Sequence, residues 1–257
     1  MISVAAIDIV EHFFALLWPM LRLSALLIAA PVFSLPALTV RLRIVVALAL
    51  AIMVYPMYEW PRIDPLSPQG VLEVFNQIGI GLVMGLILQV VTAAVVVAGQ
   101  AISNAMGLSM ATLIDSSLGN VPTIAQFLIV MSTLIFVGLG GHALLIGLVV
   151  ESFASLPVGK PLLVAEAWPQ LLAWSSMVFL GALLIALPVM VTLLFITIGI
   201  GVITRAAPSL NIFSVGLPAT IVLGFGVLIM AMGGIGSRIQ GLWTQALTQV
   251  RVLVGLG

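Results

Sequence analysis

The run from Val74 to Ile114, VFNQIGIGLVMGLILQVVTAAVVVAGQAISNAMGLSMATLI, contains no Asp, Glu, Lys or Arg. Three more charge-free runs follow it: Ser116 to Val150, Ala167 to Thr204 and Ala206 to Ser237. Each exceeds the roughly 20 apolar residues that an α-helix needs to cross a bilayer. Membrane β-strands alternate polar and apolar residues, and these runs do not, so they predict helices. The whole chain is 63% hydrophobic and 6% charged, with a mean hydropathy of +1.36. A soluble domain carries about a quarter charged residues. The fold class that follows is an all-α membrane protein of about six long apolar helices, several of them kinked.

Working outward, six apolar segments emerge near 10–30, 42–58, 71–106, 122–150, 168–199 and 209–236. Pro31 and Pro36 end the first, because proline lacks an N–H and clashes with the preceding turn. Residues 60–68, WPRIDPLSP, form the clearest loop. Further breaks fall at Gly107 to Pro122, at Leu156 to Pro161 and at Arg205 to Ser209. Pro19, Pro188 and Pro218 lie inside apolar runs, where neighbouring helices must satisfy the freed carbonyls. The chain reads as a single domain over 1–257, with no separate soluble domain. Loop cations divide three (Arg41, Arg43, Arg205) against four (Arg62, Lys160, Arg238, Arg251) between the two sides of a six-span arrangement, so orientation is not legible from the positive-inside bias. The N-terminal segment lacks the basic start of a cleavable signal and is expected to be retained.

Net charge is zero, so nothing suggests a nucleic-acid partner. The absence of cysteine removes thiol catalysis, disulfides and thiolate metal sites. On segment three, Gly85, Gln89, Ala93, Val96, Gln100, Ser103, Asn104 and Gly107 fall on about a third of the helix circumference. Small residues there allow close helix approach, and amides can hydrogen-bond across a contact. This face is either a helix–helix seam or the lining of a watery lumen, facing a pore or a partner. Asp115 is the lone charge between Glu73 and Glu151; it is either a helix cap or an intramembrane functional group. His142 follows Gly140 and Gly141 at a flexible point and has no second metal ligand near it in sequence. Ser109 with His142 superficially suits an intramembrane serine protease, but the glycine expected after the serine is missing. No catalytic constellation survives, and neither a cofactor nor a metal is expected. A small-solute secondary transporter is the alternative, although Pro188 and Pro218 have no clear counterparts in the first half.

Taken in order, four blocks resemble the FliR family, the export-gate membrane proteins of flagellar type III secretion, with the related injectisome T-component. They are Pro31-Val32-Phe33 with Pro36 and Arg41; Gly107 to Asp115; Gly141-His142 through Leu156 to Gly159; and Leu187-Pro188-Val189 followed by Arg205-Ala206-Ala207-Pro208 and Leu210-Asn211-Ile212-Phe213. Ser116, Thr197 and Ser209 depart from the residues usual in the family. The resemblance implies a non-enzymatic core component of the bacterial flagellar export gate. It implies FliP- and FliQ-like subunits as partners in a larger hetero-oligomeric helical assembly, with FlhB- and FlhA-like proteins nearby. Unfolded secreted protein substrates would pass through, driven by proton motive force and an associated ATPase. The location implied is the inner (cytoplasmic) membrane within the basal body, with bent hairpins raised partly out of the bilayer on the periplasmic side. By the family's pattern, Gly107 to Val121 forms a channel plug loop, including Gly107, Leu108, Ser109, Met110, Leu113, Ile114, Asp115 and Gly119. Gln89, Gln100, Ser103 and Asn104 form the polar face, and Arg205, Pro208, Asn211 and Phe213 an inter-helix motif.

Overall fold

The computed structural model describes residues 2–33, 39–108, 123–160, 164–207 and 216–256. Among them every regular element is helical: α1 (Ile2–Ala29), α2 (Val40–Val54), a short 3-10 turn (Tyr55–Met57), α3 (Pro68–Ala105), α4 (Thr123–Gly138), α5 (Gly141–Ser155), α6 (Val164–Ser175), α7 (Met177–Ala206) and α8 (Leu217–Leu253). Five helical stretches are long and apolar enough to cross a membrane, or six if α4 and α5 count as one broken span. That agrees with the helical membrane protein read from the charge-free runs.

The helix ends have local causes. Ser67 caps α3 by accepting a hydrogen bond from the Gly70 amide at 3.0 Å, and Pro68 occupies the first helical position. The Leu66 amide donates to Asp64 Oδ1 at 2.9 Å, closing the turn that precedes the cap. Thr39 caps α2 by accepting from the Leu42 amide. Gly140, at φ 69°, stands between α4 and α5 in the left-handed region. This is the flexible point beside His142, and it divides what the hydropathy draws as one segment.

One expectation needs correction. Pro218 is the second residue of α8, whereas Pro19 and Pro188 are interior to α1 and α7. The last helix runs on to Leu253 rather than stopping near 236. Hydropathy falls after Ser237, but Ile235, Ile239, Leu242, Trp243, Ala246, Val250 and Val254 are all buried. Their spacing of mostly three and four keeps one apolar stripe through a polar sequence, and that stripe sustains the helix.

The chain divides into two compact units, one of Met1–Val90, Gly140–Ser175 and Thr244–Gly257, the other of Val91–Leu139 and Ser176–Trp243. In the first, α1 and α3 approach closely along Gly81 and Gly85. A Cβ on Gly81 would lie 2.3 Å from the Arg22 carbonyl oxygen, and one on Gly85 would lie 2.4 Å from Ala29 Cβ. This is the small-residue packing that lets membrane helices touch backbone to backbone. The α2 helix buries only Ala47, Ala51 and Val54; Val45, Ile52 and Met53 are exposed. Trp174 Nε1 donates to the Ile87 carbonyl at 3.0 Å, fastening α6 to α3. In the second unit, a Cβ on Gly99 would meet Ala125 Cα at 2.4 Å, so α3 and α4 also meet without side chains between them. Trp243 Nε1 donates to Ser132 Oγ at 2.9 Å, and its ring stacks at a tilt 4.6 Å from Phe136. Gly181, Ile185, Val189 and Leu193 form the buried stripe of α7.

Candidate functional site

The expected plug loop begins where α3 ends, and the structure shows how that end is made. The Leu108 amide donates to the Ser103 carbonyl at 3.1 Å and the Gly107 amide to the Asn104 carbonyl at 3.0 Å. With Gly107 at φ +80°, this is a Schellman cap, which satisfies two of the carbonyls left over at a helix end. Gly107→Ala places a side chain in the left-handed region and is expected to cost about 1 kcal/mol, read as a lower Tm of the protein in detergent. An unchanged Tm would mean that this cap does not hold the end of α3. Ser109, Met110, Leu113, Ile114, Asp115 and Gly119 lie outside the described residues, as do Pro208, Asn211 and Phe213. Arg205 is exposed in the last turn of α7, where a cation complements the helix dipole. His142 is exposed near the start of α5; the Ser109 that a protease would pair with it is among the residues not described.

The polar face of α3 divides by residue. Gly81 and Gly85 pack on α1, as above. Gln89 and Asn104 are exposed, Gln100 is half-buried and Ser103 is buried. Asn104, Met106, Gly107, Thr197, Leu217 and Thr220 border a cavity of about 270 Å³ at the end of α3. The Thr197 hydroxyl donates to the Leu193 carbonyl within α7 at 2.9 Å. The wall of this cavity at the start of the expected loop is therefore mostly apolar, with neutral amide and hydroxyl groups.

A second polar constellation, in the first unit, is one that the sequence does not single out. Arg22 is fully buried (0% exposed) in α1, and Glu73 is 6% exposed in α3. Arg22 Nε donates to Gln77 Oε1 at 2.8 Å, Nη1 to Ser152 Oγ at 2.8 Å, and Nη2 to the Leu156 carbonyl at 2.7 Å. Gln77 Nε2 donates in turn to Glu73 Oε1. The guanidinium carbon lies 4.1 Å from the centre of the Phe153 ring, within cation–π range. Phe153 belongs to an aromatic group with Trp60, at 5.4 Å, and Tyr58, at 6.0 Å. Tyr58 donates its hydroxyl to the Val150 carbonyl at 2.9 Å, and Asn76 Nδ2 donates to the Lys160 carbonyl at 2.9 Å. One arginine thus joins α1, α3 and the end of α5. A lone Arg inside an apolar segment is the signal available in the sequence; its partners, 55, 130 and 134 residues away, are not legible there.

These features define a class: a helical membrane protein with long uncovered apolar faces, close glycine seams and a buried polar network. The chain belongs to the family of bacterial export proteins, family 1, whose sequence model matches residues 13–246. It is 34% identical over 227 residues to the "Flagellar biosynthetic protein FliR" of Pectobacterium carotovorum subsp. carotovorum, covering 88% of this chain and 85% of the relative. The protein of the same description from Escherichia coli (strain K12) is 33% identical over 84% of this chain and 83% of its own length. That of Bacillus subtilis (strain 168) is 30% identical over 97% and 98%.

Proposed function

We propose that this chain is a core membrane component of the flagellar protein export apparatus, helping to form and plug the channel through which unfolded substrates are secreted. The observation that carries this reading is the family match over residues 13–246, joined to near full-length similarity to relatives described as flagellar biosynthetic proteins. It does not favour the solute-transporter alternative. The role is mechanical, not catalytic, and the chain acts as one export-gate domain along its length. Its partners are FliP- and FliQ-like subunits, with FlhB- and FlhA-like proteins adjoining them, in the inner membrane at the basal body.

The uncovered faces support a partnered state. Phe179, Leu183, Leu187, Leu194 and Ile198 of α7, and Val222, Ile229 and Met230 of α8, are exposed large apolar side chains. Lipid or neighbouring helices must cover them, and a hetero-oligomeric gate supplies helices. Gln89, Gln100 and Asn104 then turn to a partner or the watery lumen, because amides facing hydrocarbon are poorly satisfied. Gly107 to Val121 forms the plug, with Met110, Leu113 and Ile114 as its sealing side chains and Asp115 and Gly119 shaping the loop. Arg205, Pro208, Asn211 and Phe213 set the turn between α7 and α8. Deleting Leu108 to Gly119 is expected to let ions leak through the resting export complex, raising membrane conductance above that of the unaltered complex. An unchanged conductance in an assembled complex would remove the plug role.

A further inference from the structure

Arg22 has no part in the channel reading, yet it is buried at 0% exposure among the described residues. It lies inside His12–Ala29, the least apolar of the five candidate spans. An arginine within a lone helix opposes insertion into hydrocarbon. Its three hydrogen-bond acceptors all belong to other parts of the chain: Gln77 in α3, and Ser152 and Leu156 at the end of α5. The negative charge of Glu73 stands one turn before Gln77 and is joined to Arg22 through that amide. The Glu73 carboxylate already accepts from Gln77 and Asn76 of its own helix, so Arg22 is the charge that its helix leaves unsatisfied until α3 lies beside it. The close seam at Gly81 and Gly85 brings them together in a single register, because both glycines must face α1 at once.

We propose that the Arg22–Gln77–Glu73 relay is an insertion and register lock. In this lock α1 becomes a seated membrane span only when α3 supplies its counter-charge. The bonds to Ser152 and Leu156 complete the lock later, since those residues lie 130 and 134 positions further along. Leu156 contributes a carbonyl from the C-terminal end of α5, a group that a cation satisfies well. Buried ionic groups that fix register rather than add net stability are known in other helical assemblies. Ordinary apolar packing would place no charge at this contact.

The chain has no cysteine, so Ser24→Cys adds a single thiol to α1 of the full-length protein. Its reaction with a membrane-impermeant maleimide is followed in spheroplasts and in inverted vesicles. With the relay intact, the thiol is expected to be protected from both sides. Adding Glu73→Leu is expected to raise labelling on the order of tenfold, because Arg22 loses its counter-charge. Adding Arg22→Met to Glu73→Leu is expected to restore protection, and Arg22→Met alone is expected to leave the thiol protected. If Glu73→Leu is degraded, Glu73→Gln, which keeps the shape and removes the charge, carries the same comparison. A packing role without coupling makes the double variant worse than either single one. The proposal is overturned if the carboxylate variants stay protected, or if the double variant labels as strongly as the carboxylate variant.

Discussion

Gly81→Val is expected to lower stability by on the order of 3 kcal/mol or more, the upper range for forcing bulk into a close-packed contact. The reason is where the added atoms go. The first of them would lie 2.3 Å from the Arg22 carbonyl and 2.9 Å from Ala25 Cβ, and 3.0 Å from the Leu26 amide nitrogen. Two of these neighbours are backbone, so no side-chain rotation relieves the clash. The helix α1 must move away from α3, and the Arg22 bonds of 2.7–2.8 Å lengthen with it. A Cβ on Gly79, which lies on a different face of the same helix, would meet nothing within 4 Å, so Gly79→Ala is the control. The check is the Tm of the detergent-extracted protein: a large fall for Gly81→Val and little change for Gly79→Ala. Equal effects at the two glycines would mean that the α1–α3 seam does not carry the packing described above.

Arg22→Met is expected to cost about 3–5 kcal/mol, the usual result of removing one partner from a buried charged pair. Methionine fills much of the same space, so the loss is mainly electrostatic and hydrogen-bonding. Glu73 keeps its bonds from Gln77 and Asn76 but loses the cation beyond them, while Ser152 Oγ and the Leu156 carbonyl lose a donor. Arg22→Lys keeps the charge and is expected to be milder. Its point-like ammonium does not reproduce the planar fork that reaches three separate acceptors. Thermal unfolding of the three proteins side by side tests this. A methionine variant as stable as the parent would show that Glu73 and the acceptors of Arg22 are not left uncompensated when the arginine is removed.

The helical membrane class is legible in the sequence because it rests on composition over long runs, where single residues matter little. Charge-free stretches from Val74 and from Ala167 announce helices whatever their packing. Helix ends are legible where chemistry is local: Ser67-Pro68 starts α3, and the break at Gly107 follows from a glycine in a left-handed cap. The end of α8 escapes a hydropathy reading because hydropathy averages over neighbours, whereas Ile239, Leu242, Ala246 and Val250 keep one buried stripe through polar sequence. The relay at Arg22 is the largest feature that the sequence hides. Its members are unremarkable singly, and only the fold brings position 22 to positions 77 and 152. The proposed plug residues come from family resemblance and not from any pattern of charge or period; of them, Gly107 and Leu108 lie among the described residues.

The central claim is that this chain works as one subunit of a heteromeric export gate. Affinity purification of the tagged full-length chain from its native membranes in mild detergent tests it most directly. The account predicts a single stable complex containing FliP- and FliQ-like subunits in fixed proportion to this chain. Recovery of the chain alone, as a folded monomer without such subunits, would contradict it.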